Sequence, residues 1–434
     1  MANKIRIRIS RTMANPFFAK TPVPPEYFIG RTSEITAAFD TIHARSHLAI
    51  WGGPGMGKTS YLYKVACPQT WVEYGLDSSP AVIVLFSCQS LYPFTPAKFW
   101  AEILTIMDDK LENEPELQAE IRNLRGNNIT NDTLRQAITK LGRKNKFLVL
   151  LVDDFDAALE TNEGYTESDR ETFLAQCRSL AVHGANKKLT MIVTSLQRLN
   201  EIGPPLKPNA SPWYNHYLYQ SLKKFDYQET EQLLSVFPLK LRDGIRNITG
   251  SHPTLIQIAG FLLYIARQQG EEVDINKFNS DFERDTKQIF ETIWKRCNDQ
   301  QKTLLMLIVL LDIEGHLGQK DFDLKGIGRT LIQNERSLTE LEEQGVIVSE
   351  IRPKPKLPKE KEKIYLFTSS IMKKWVIQEI WNTKPSEIRK HEKVFLNLMS
   401  HGQVEEMKKA ITWSGQHQDT VVSLLKLGRD ILLG

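Results

Sequence analysis

The residues best suited to chemistry lie in a glycine-rich run, GGPGMGKT at positions 52–59, which fits the pattern G-x-x-x-x-G-K-[ST]. Glycines at these spacings let backbone N–H groups turn inwards around an anion, and a helix that starts at such a loop adds the positive end of its dipole. Lys58 is then expected to contact the β- and γ-phosphates of a nucleotide, and the Thr59 hydroxyl to bind Mg²⁺. The run predicts a phosphate-binding loop over Gly52–Ser60; a glycine turn without a ligand is the alternative.

Two adjacent acids follow the apolar run FLVLLV. A Mg²⁺ ion held against phosphates needs a carboxylate, directly or through water, and hydrolysis needs a group that polarises the attacking water. We therefore expect Asp153 to support Mg²⁺ and Asp154 to polarise the water. Two acids that only cap a turn after a strand are the alternative. Asp156 is interpreted as a helix cap or a surface acid.

A third polar position follows the run LTMIV. A strand between the phosphate-loop strand and the strand of the acidic pair would end close to the γ-phosphate, and a polar residue there would contact it. Thr194 is the first choice for this role. Arg198 either contacts the γ-phosphate or is a solvated loop arginine, and the sequence leaves both open.

A parallel sheet is needed to bring these residues together. Continuously apolar runs alternate with helical patterns up to about residue 222, as expected of parallel strands covered by helices on both faces. The sequence therefore predicts a three-layer α/β domain. Its strand-like runs are LAIW (48–51), AVIVLF (81–86), FLVLLV (147–152), LTMIVT (189–194) and YLYQSL (217–222).

The rest of the chain has a helical pattern. Amphipathic segments over 226–236 and 253–269 predict a small helical lid. Two helices, a third helix and a β-hairpin, with VIVSEI and IYLFT on either side of a loop rich in proline and lysine, predict a winged helix. The predicted domains are an extended N-terminal segment (1–27), the α/β nucleotide-binding domain (28–222), the helical lid (223–282), the winged helix (283–380) and a helical C-terminal segment (381–434).

The composition excludes several classes of protein. The chain has 434 residues, with 56 basic and 52 acidic side chains, and this balance argues against binding nucleic acid or membranes over the whole surface. Its four cysteines are far apart and lack the spacing of a metal site or a disulfide framework. The N-terminus has no apolar run of signal length, and no segment reaches the roughly 18 apolar residues that span a bilayer. We expect a cytoplasmic protein without a membrane partner.

The order of the motifs resembles the STAND class of AAA-related ATPases, which includes NLR-type immune receptors and apoptosome ATPases. The resemblance covers about residues 14–380 and is carried by NPFFAKTPVPPEYFIGR, GGPGMGKTSYLYKVA, LLVDDFD, VTSLQRL and GSHPTLIQIAG, followed by the winged helix. It implies an ASCE/AAA-like parallel sheet with ATP or ADP and Mg²⁺ as cofactors. It also implies that FIGR lies against the adenine and that Pro253 closes over the base, whereas His252 either touches a phosphate or caps a helix.

Two departures limit what the resemblance implies. The acidic pair is Asp-Asp instead of Asp-Glu, and a shorter second acid favours slow turnover. The winged-helix segment has no MHD-like triplet. The predicted nucleotide-binding residues are Phe28, Ile29, Gly30, Arg31, Gly53, Pro54, Gly55, Met56, Gly57, Lys58, Thr59, Ser60, His252 and Pro253, the predicted catalytic residues are Lys58, Asp153, Asp154, Thr194 and Arg198, and the predicted metal-binding residues are Thr59 and Asp153.

The predicted function is a slow ATPase switch. The γ-phosphate would control the arrangement of the domains, copies would assemble in the ATP state, and the C-terminal helices would recruit an effector or partner protein. Arg170 and Arg178 are weak candidates for an arginine that reaches the γ-phosphate of the next subunit. A nucleotide-dependent scaffold with negligible hydrolysis is a further hypothesis.

The main alternative is a DNA-engaged AAA+ ATPase of the initiator or transposition-regulator type. The run RPKPKLPKEKEK (352–363) could contact a phosphate backbone, although its prolines and glutamates also fit a solvated loop. The helix NERSLTELEEQG carries four glutamates and one arginine, which opposes docking in a groove of DNA. The lysines in the run are Lys354, Lys356, Lys359, Lys361 and Lys363.

Overall fold

The computed structural model describes residues 14–382 apart from 127–128, 184–186, 206–210, 270–274, 313–315, 318–319, 322–330 and 355–356. The chain divides into two compact units: the first is Lys20–Lys223, and the second combines Met1–Ala19 with Lys224–Gly434. The predicted C-terminal helices beyond residue 382 lie outside the described residues. No helix in the described ranges is long and apolar enough to cross a bilayer.

The first unit is built on a five-stranded sheet in the order β2-β3-β4-β1-β5, in which every neighbouring pair is parallel. The predicted strand runs are therefore confirmed to within one residue. The strand carrying Thr194 lies between the phosphate-loop strand and the acid-bearing strand, as predicted. The strands are β1 His47–Trp51, β2 Ala81–Ser87, β3 Phe147–Asp153, β4 Leu189–Ser195 and β5 Tyr217–Ser221.

Helices cover both faces of this sheet, and alternate residues of its central strands therefore pack into two separate cores. In β3, Leu150 packs into a core with Trp100 and Phe173, whereas Leu151 packs into the opposite core with Ile35. The predicted three-layer α/β architecture is confirmed. The helices of this unit are α1 Thr32–Ala44, α2 Lys58–Ala66, α3 Pro68–Glu73, α4 Pro96–Lys110, α5 Pro115–Arg122, α6 Asn131–Arg143, α7 Glu167–His183 and α8 Leu199–Ile202, with short 3-10 turns at Pro25–Tyr27, Cys88–Leu91 and Phe155–Ala158.

The second unit is mainly helical. Phe17 from the N-terminal segment is buried in it, with its ring stacked on Phe237 at 5.4 Å between centroids and fitted against Gly260. The elements are α9 Tyr227–Leu233, α10 Leu239–Thr249, α11 Pro253–Gln268, α12 Ile275–Arg296, α13 Asp299–Asp312, β6 His316–Leu317, β7 Lys320–Asp321, α14 Glu335–Glu343, β8 Ile347–Lys354, β9 Leu357–Phe367 and α15 Ser370–Asn382.

Two sequence expectations differ from the structure of this unit. The boundary between lid and winged helix at residues 282 and 283 falls inside the continuous helix α12. The interpretation of 352–363 as a loop is wrong, because β8 and β9 pair through most of it, with Arg352 opposite Glu362 and Pro353 opposite Lys361. A proline is tolerated there because a two-stranded ribbon has open edges and because the register shifts between Pro353 and Lys354.

An acid-sensitive group lies at the amino-terminal end of the sheet of the first unit. Burial, together with the positive charges of the nearby His47 and Arg178 side chains, lowers the pKa of His216 from 6.5 to about 3. Below pH 6.5 the unfolded chain binds a proton at His216 that the folded chain does not. The contribution of His216 to the free energy of unfolding is therefore fully present above pH 6.5 and is lost progressively as the pH falls from 6.5 to 3.

We therefore expect His216→Gln to reduce the loss of unfolding free energy between pH 7 and pH 5 by up to about 2 kcal/mol. Urea titrations at both pH values measure this difference. His43→Gln, at an exposed position on α1, is the control and should change it by much less. Equal acid sensitivity in His216→Gln and wild type would contradict the assignment.

Candidate functional site

The phosphate loop starts inside the sheet. Gly52 N–H donates to the Ser195 carbonyl at 3.2 Å, and Leu222 N–H donates to the Trp51 carbonyl at 2.7 Å, so neighbouring strands fix the base of the loop from both sides. A side chain at Gly52 would bring a Cβ atom to 2.6 Å from the Leu222 carbonyl oxygen. Glycine is required at this position because of that close approach.

Beyond this base the loop curls through two left-handed residues, Gly55 with φ 76° and Gly57 with φ 89°, and Gly57 is the N-cap of α2. Lys58 begins α2 and is 7% exposed. Its ammonium donates to the carbonyl of Gly52 at 2.7 Å and to that of Gly53 at 3.2 Å. The lysine charge is thus held inside the curve of the loop.

The acid at the end of β3 connects the loop with β4. Asp153 Oδ2 accepts a hydrogen bond from Thr59 Oγ1 at 2.5 Å, and its Oδ1 accepts one from the Thr194 hydroxyl. Asp153 and Thr194 are both buried. The structure therefore brings together three residues that were predicted from separate parts of the sequence.

Asp154 has a different environment. Its backbone is left-handed at φ 50°, and its N–H donates to Thr194 Oγ1 at 3.2 Å. Burial raises the pKa of the Asp154 carboxyl, the neighbouring Asp153 charge raises it further, and a hydrogen bond from Ser87 Oγ at 2.8 Å opposes both. A carboxylate whose pKa is raised above that of an ordinary aspartate is a suitable proton acceptor.

The two other charged residues considered in the sequence, Asp156 and Arg198, differ in burial. The interpretation of Asp156 as a surface acid is wrong: it is 7% exposed, and both of its carboxylate oxygens accept from Leu196 N–H, at 3.0 and 3.1 Å. Arg198 is exposed, with its guanidinium 4.9 Å from the centre of the Trp51 ring. It lies beside the residue that precedes the loop, and a γ-phosphate contact stays a prediction.

The FIGR segment contacts the phosphate loop. Gly30 and Arg31 are both left-handed, with φ 70° and 58°. The buried Arg31 guanidinium donates to the carbonyl of Met56 at 3.4 Å and to that of Lys223, and it pairs with Glu34 at 3.3 Å. Phe28 packs against the core that contains Met56. Arg31 therefore stabilises the loop from outside, and the contact of Ile29 and its neighbours with adenine stays a prediction.

Upstream of FIGR, the N-terminal strap meets the first turn of α2. Val23 N–H donates to Ser60 Oγ at 2.9 Å. Pro54 is half-buried in the loop. Ser60 thus has a structural partner within this unit, and its predicted nucleotide contact is not tested by that bond.

The GSHP turn lies in the second unit, at the start of α11. Gly250 ends α10 with φ 59° and lies so close to the Thr368 carbonyl that a side chain would collide with it. His252 is the N-cap of α11, its Nδ1 accepts from Leu255 N–H at 3.4 Å, and Pro253 is the first residue of the helix. The structure gives His252 a capping bond, and the nucleotide contacts of His252 and Pro253 stay predictions.

The donors around Asp153 fit Mg²⁺ chemically. This ion prefers oxygen ligands and usually combines one or two carboxylates with substrate phosphates and water. Thr59 and Asp153 supply a hydroxyl and a carboxylate within 2.5 Å of each other. No group of three or more His, Cys, Asp or Glu side chains that could hold a metal occurs in the described ranges. An ion here would therefore depend on phosphate oxygens as well.

Comparison with known proteins identifies part of the chain. Residues 41–202 match the family model of the AAA domain. The match spans the phosphate loop, the acidic pair and Thr194, and it agrees with the strand order, so the predicted α/β P-loop fold class is confirmed. This region is therefore similar to AAA domains, whereas the finer assignment to the STAND class stays a prediction. No curated protein matched the chain.

Solved structures with similar folds were found at low identity. A Walker-type ATPase of Pyrococcus abyssi is 14% identical over 83% of this chain and 99% of its own, with a TM-score of 0.48. The ORC2 protein of Aeropyrum pernix, in ADPNP–ADP complexes, is 13% identical over 81% and 95%, with a TM-score of 0.46. Drosophila ORC bound to DNA is 11% identical over 87% and 96%, with a TM-score of 0.37. Identities this low do not carry function from one protein to another.

Proposed function

We propose that this protein binds ATP with Mg²⁺ and hydrolyses it slowly, and that the bound nucleotide acts as a switch. The hydrogen-bonded cluster of Thr59, Asp153 and Thr194 beneath the phosphate loop carries this proposal. In this cluster the Thr59 hydroxyl and the Asp153 carboxylate are suited to Mg²⁺. Thr194 adds a hydroxyl from β4, the strand that lies between β1 and β3. The AAA family match over the same residues supports it.

Each residue has a defined part in the proposed reaction. The loop amides and the Lys58 ammonium bind the phosphates. Thr59 and Asp153 would hold Mg²⁺, which would neutralise charge on the phosphate oxygens. Asp154 accepts the proton of the attacking water as the water oxygen bonds to the γ-phosphorus and the bond to the β-phosphate oxygen breaks. The shorter aspartate side chain, at the position where the resemblance has a glutamate, supports slow turnover.

Single-turnover measurements with γ-labelled ATP test the proposal. We expect release of labelled phosphate that requires Mg²⁺. Absence of ATP binding would contradict the whole assignment, and binding without hydrolysis would favour the scaffold hypothesis.

Ser87 is a positioning residue for Asp154. Ser87→Ala removes the 2.8 Å hydrogen bond to its carboxylate, so we expect hydrolysis to slow by about tenfold with unchanged ATP affinity. Because that bond lowers the Asp154 pKa, its loss should also move the acid limb of the pH profile to higher pH. Single-turnover rates across the pH range measure both effects.

Ser79→Ala is the matched control, since Ser79 donates to another aspartate, Asp77, at 2.6 Å outside the site. It should leave the rate and the pH profile unchanged. A slower rate in Ser87→Ala with no movement of the acid limb would assign Ser87 a merely structural role.

The switch part of the proposal concerns assembly in the ATP state and recruitment of a partner protein. Arg170 is a poor candidate for an arginine that reaches a neighbouring subunit, because its side chain is 13% exposed and donates to the Leu159 carbonyl at 3.0 Å. Arg178, which donates to Asn215 at 3.1 Å, remains the other candidate. Mass measurement with ADP and with a non-hydrolysable ATP analogue tests assembly; a monomer with both would contradict it.

Binding to duplex DNA is a second candidate function, favoured by the ribbon of β8 and β9. Because β8 and β9 extend over the described residues of the lysine-rich run, Lys354, Lys361 and Lys363 lie on a two-stranded ribbon, a form that can enter a groove of DNA. Ion pairs of Arg352 with Glu350 and of Lys363 with Glu335 offset part of the charge. A DNA-shift assay at increasing salt distinguishes the candidates: steeply salt-dependent binding that Lys361→Glu weakens supports DNA engagement.

A further inference from the structure

One edge of the parallel sheet is open. β5 pairs with β1, and no strand is paired with its other side among the described residues. The outer side of an edge strand presents backbone N–H and C=O groups to any strand that approaches. On β5, Leu218 is 60% exposed and Tyr219 is 40% exposed. The edge therefore has both the backbone groups and the apolar side chains that an added strand would cover.

A groove of about 490 Å³ runs between this edge and α1. Its floor includes Leu48, which is in register with Leu218. The exposed carboxylate of Asp40 lines it and makes no ion pair in the described part of the chain. The side-chain oxygen of Gln220 is buried there without a hydrogen-bond partner. The groove thus combines apolar surface with a negative charge and an acceptor, which fit a basic segment with apolar neighbours.

The chain itself contains such a segment. Residues 4–10 read KIRIRIS, in which isoleucine alternates with lysine or arginine, and residues 1–13 contain four basic and no acidic side chains. Strict alternation gives an extended strand one apolar and one charged face. Beside β5, the aliphatic parts of the lysine and arginine side chains would pack on Leu218, and their charges would lie near Asp40. The isoleucine face would then cover Tyr219.

We propose that the outer edge of β5 takes residues 4–10 of a second copy of this chain as an added strand. The described residues that follow this segment are fixed on α11, where Phe18 N–H donates to Gln257 Oε1 at 2.8 Å. The segment thus starts from an anchor in the second unit, whereas the acceptor edge belongs to the first. Each copy carries one such segment, the donor strand, and one open β5 edge, the acceptor edge. The contact is therefore head-to-tail and repeats from copy to copy. This contact does not depend on the proposed hydrolysis.

Complementary variants test the contact. Leu218→Lys blocks the acceptor edge, because it removes apolar surface and repels the basic segment. The triple variant Ile5→Ser, Ile7→Ser, Ile9→Ser disables the donor and keeps all its positive charges. We expect sedimentation velocity to show self-association of the wild type and about a tenfold or greater weakening in either variant alone. A mixture of the two variants should form a one-to-one pair, because one supplies a donor and the other an edge.

Val72→Lys, which places the same charge at another exposed aliphatic position, 75% exposed on α3, is the control and should associate like the wild type. Retained ATP-induced thermal stabilisation in each variant separates loss of the contact from misfolding. Three outcomes would overturn the proposal: a wild type that is monomeric at all concentrations, association that persists in the triple variant, as pairing of two β5 edges predicts, and variants that fail to complement each other.

Discussion

Asp154→Asn is expected to reduce the single-turnover rate of ATP hydrolysis by about 100-fold or more, the usual contribution of a general base. Asparagine keeps the shape of the side chain and its acceptor for the Ser87 hydroxyl, but it does not take up a proton. ATP affinity should stay within a few-fold, because the proposed phosphate-binding groups belong to the loop. Labelled phosphate release and equilibrium ATP binding separate these effects.

The pH dependence gives an independent check on Asp154. The proposed reaction requires the ionised carboxylate of Asp154. Burial and the neighbouring Asp153 charge raise the pKa of this carboxyl, so the wild-type rate should fall on acidification at a higher pH than for an ordinary aspartate. Asp156→Asn is the control, since Asp156 accepts from Leu196 N–H and is turned to β4. It should keep most of the rate. An unchanged rate in Asp154→Asn would remove this residue as the base.

The second large effect is expected from Lys58→Met, which should weaken ATP binding by about 100-fold or more. Methionine retains most of the buried aliphatic stem of a side chain that is 7% exposed, so the change isolates the charge. The variant removes the positive charge that, in the proposed complex, lies against the phosphates. Stabilisation by ATP in a thermal melt, which follows from binding to the folded state, should disappear at concentrations that stabilise the wild type.

Lys64→Ala on the same helix is the control, since Lys64 pairs with Glu73 at 3.1 Å on the surface. It should leave ATP-induced stabilisation intact. If Lys58→Met bound ATP as tightly as the wild type, the Lys58 ammonium would have no role in phosphate binding. A circular dichroism spectrum like that of the wild type excludes misfolding as the cause.

The sheet and the centre of the site could be predicted from the sequence, because each depends on a local signal. A strand buried on both faces must be apolar throughout, so the runs ending at Asp153 and Thr194 were found nearly to the residue. Parallel strands place their carboxyl ends at one edge, which brings those residues together. The glycine spacing of the loop likewise follows from backbone sterics.

The contacts that were missed join residues far apart in the chain. Ser87 reaches Asp154 across 67 positions, and Arg31 reaches the Lys223 carbonyl across 192. Ser87 gives only a weak signal, a polar residue at the end of an apolar run, and no local pattern shows which acid it contacts. The carboxylate of the buried Asp156 accepts from the backbone N–H of Leu196, which directly follows β4. Such side chains are placed by strand order, which a single sequence does not encode locally.

The hydrogen bonds at the base of the phosphate loop have an entropic consequence. Gly52 and Leu222 are tied to neighbouring strands, so only the few residues from Gly53 to Gly57 are left to order around a ligand. Fixing one backbone residue costs roughly 1–2 kcal/mol, and at the base of the loop folding has met that cost before any ligand arrives. A nucleotide therefore has only the short curve of the loop left to order, and more of its interaction with the amides and Lys58 is available as affinity.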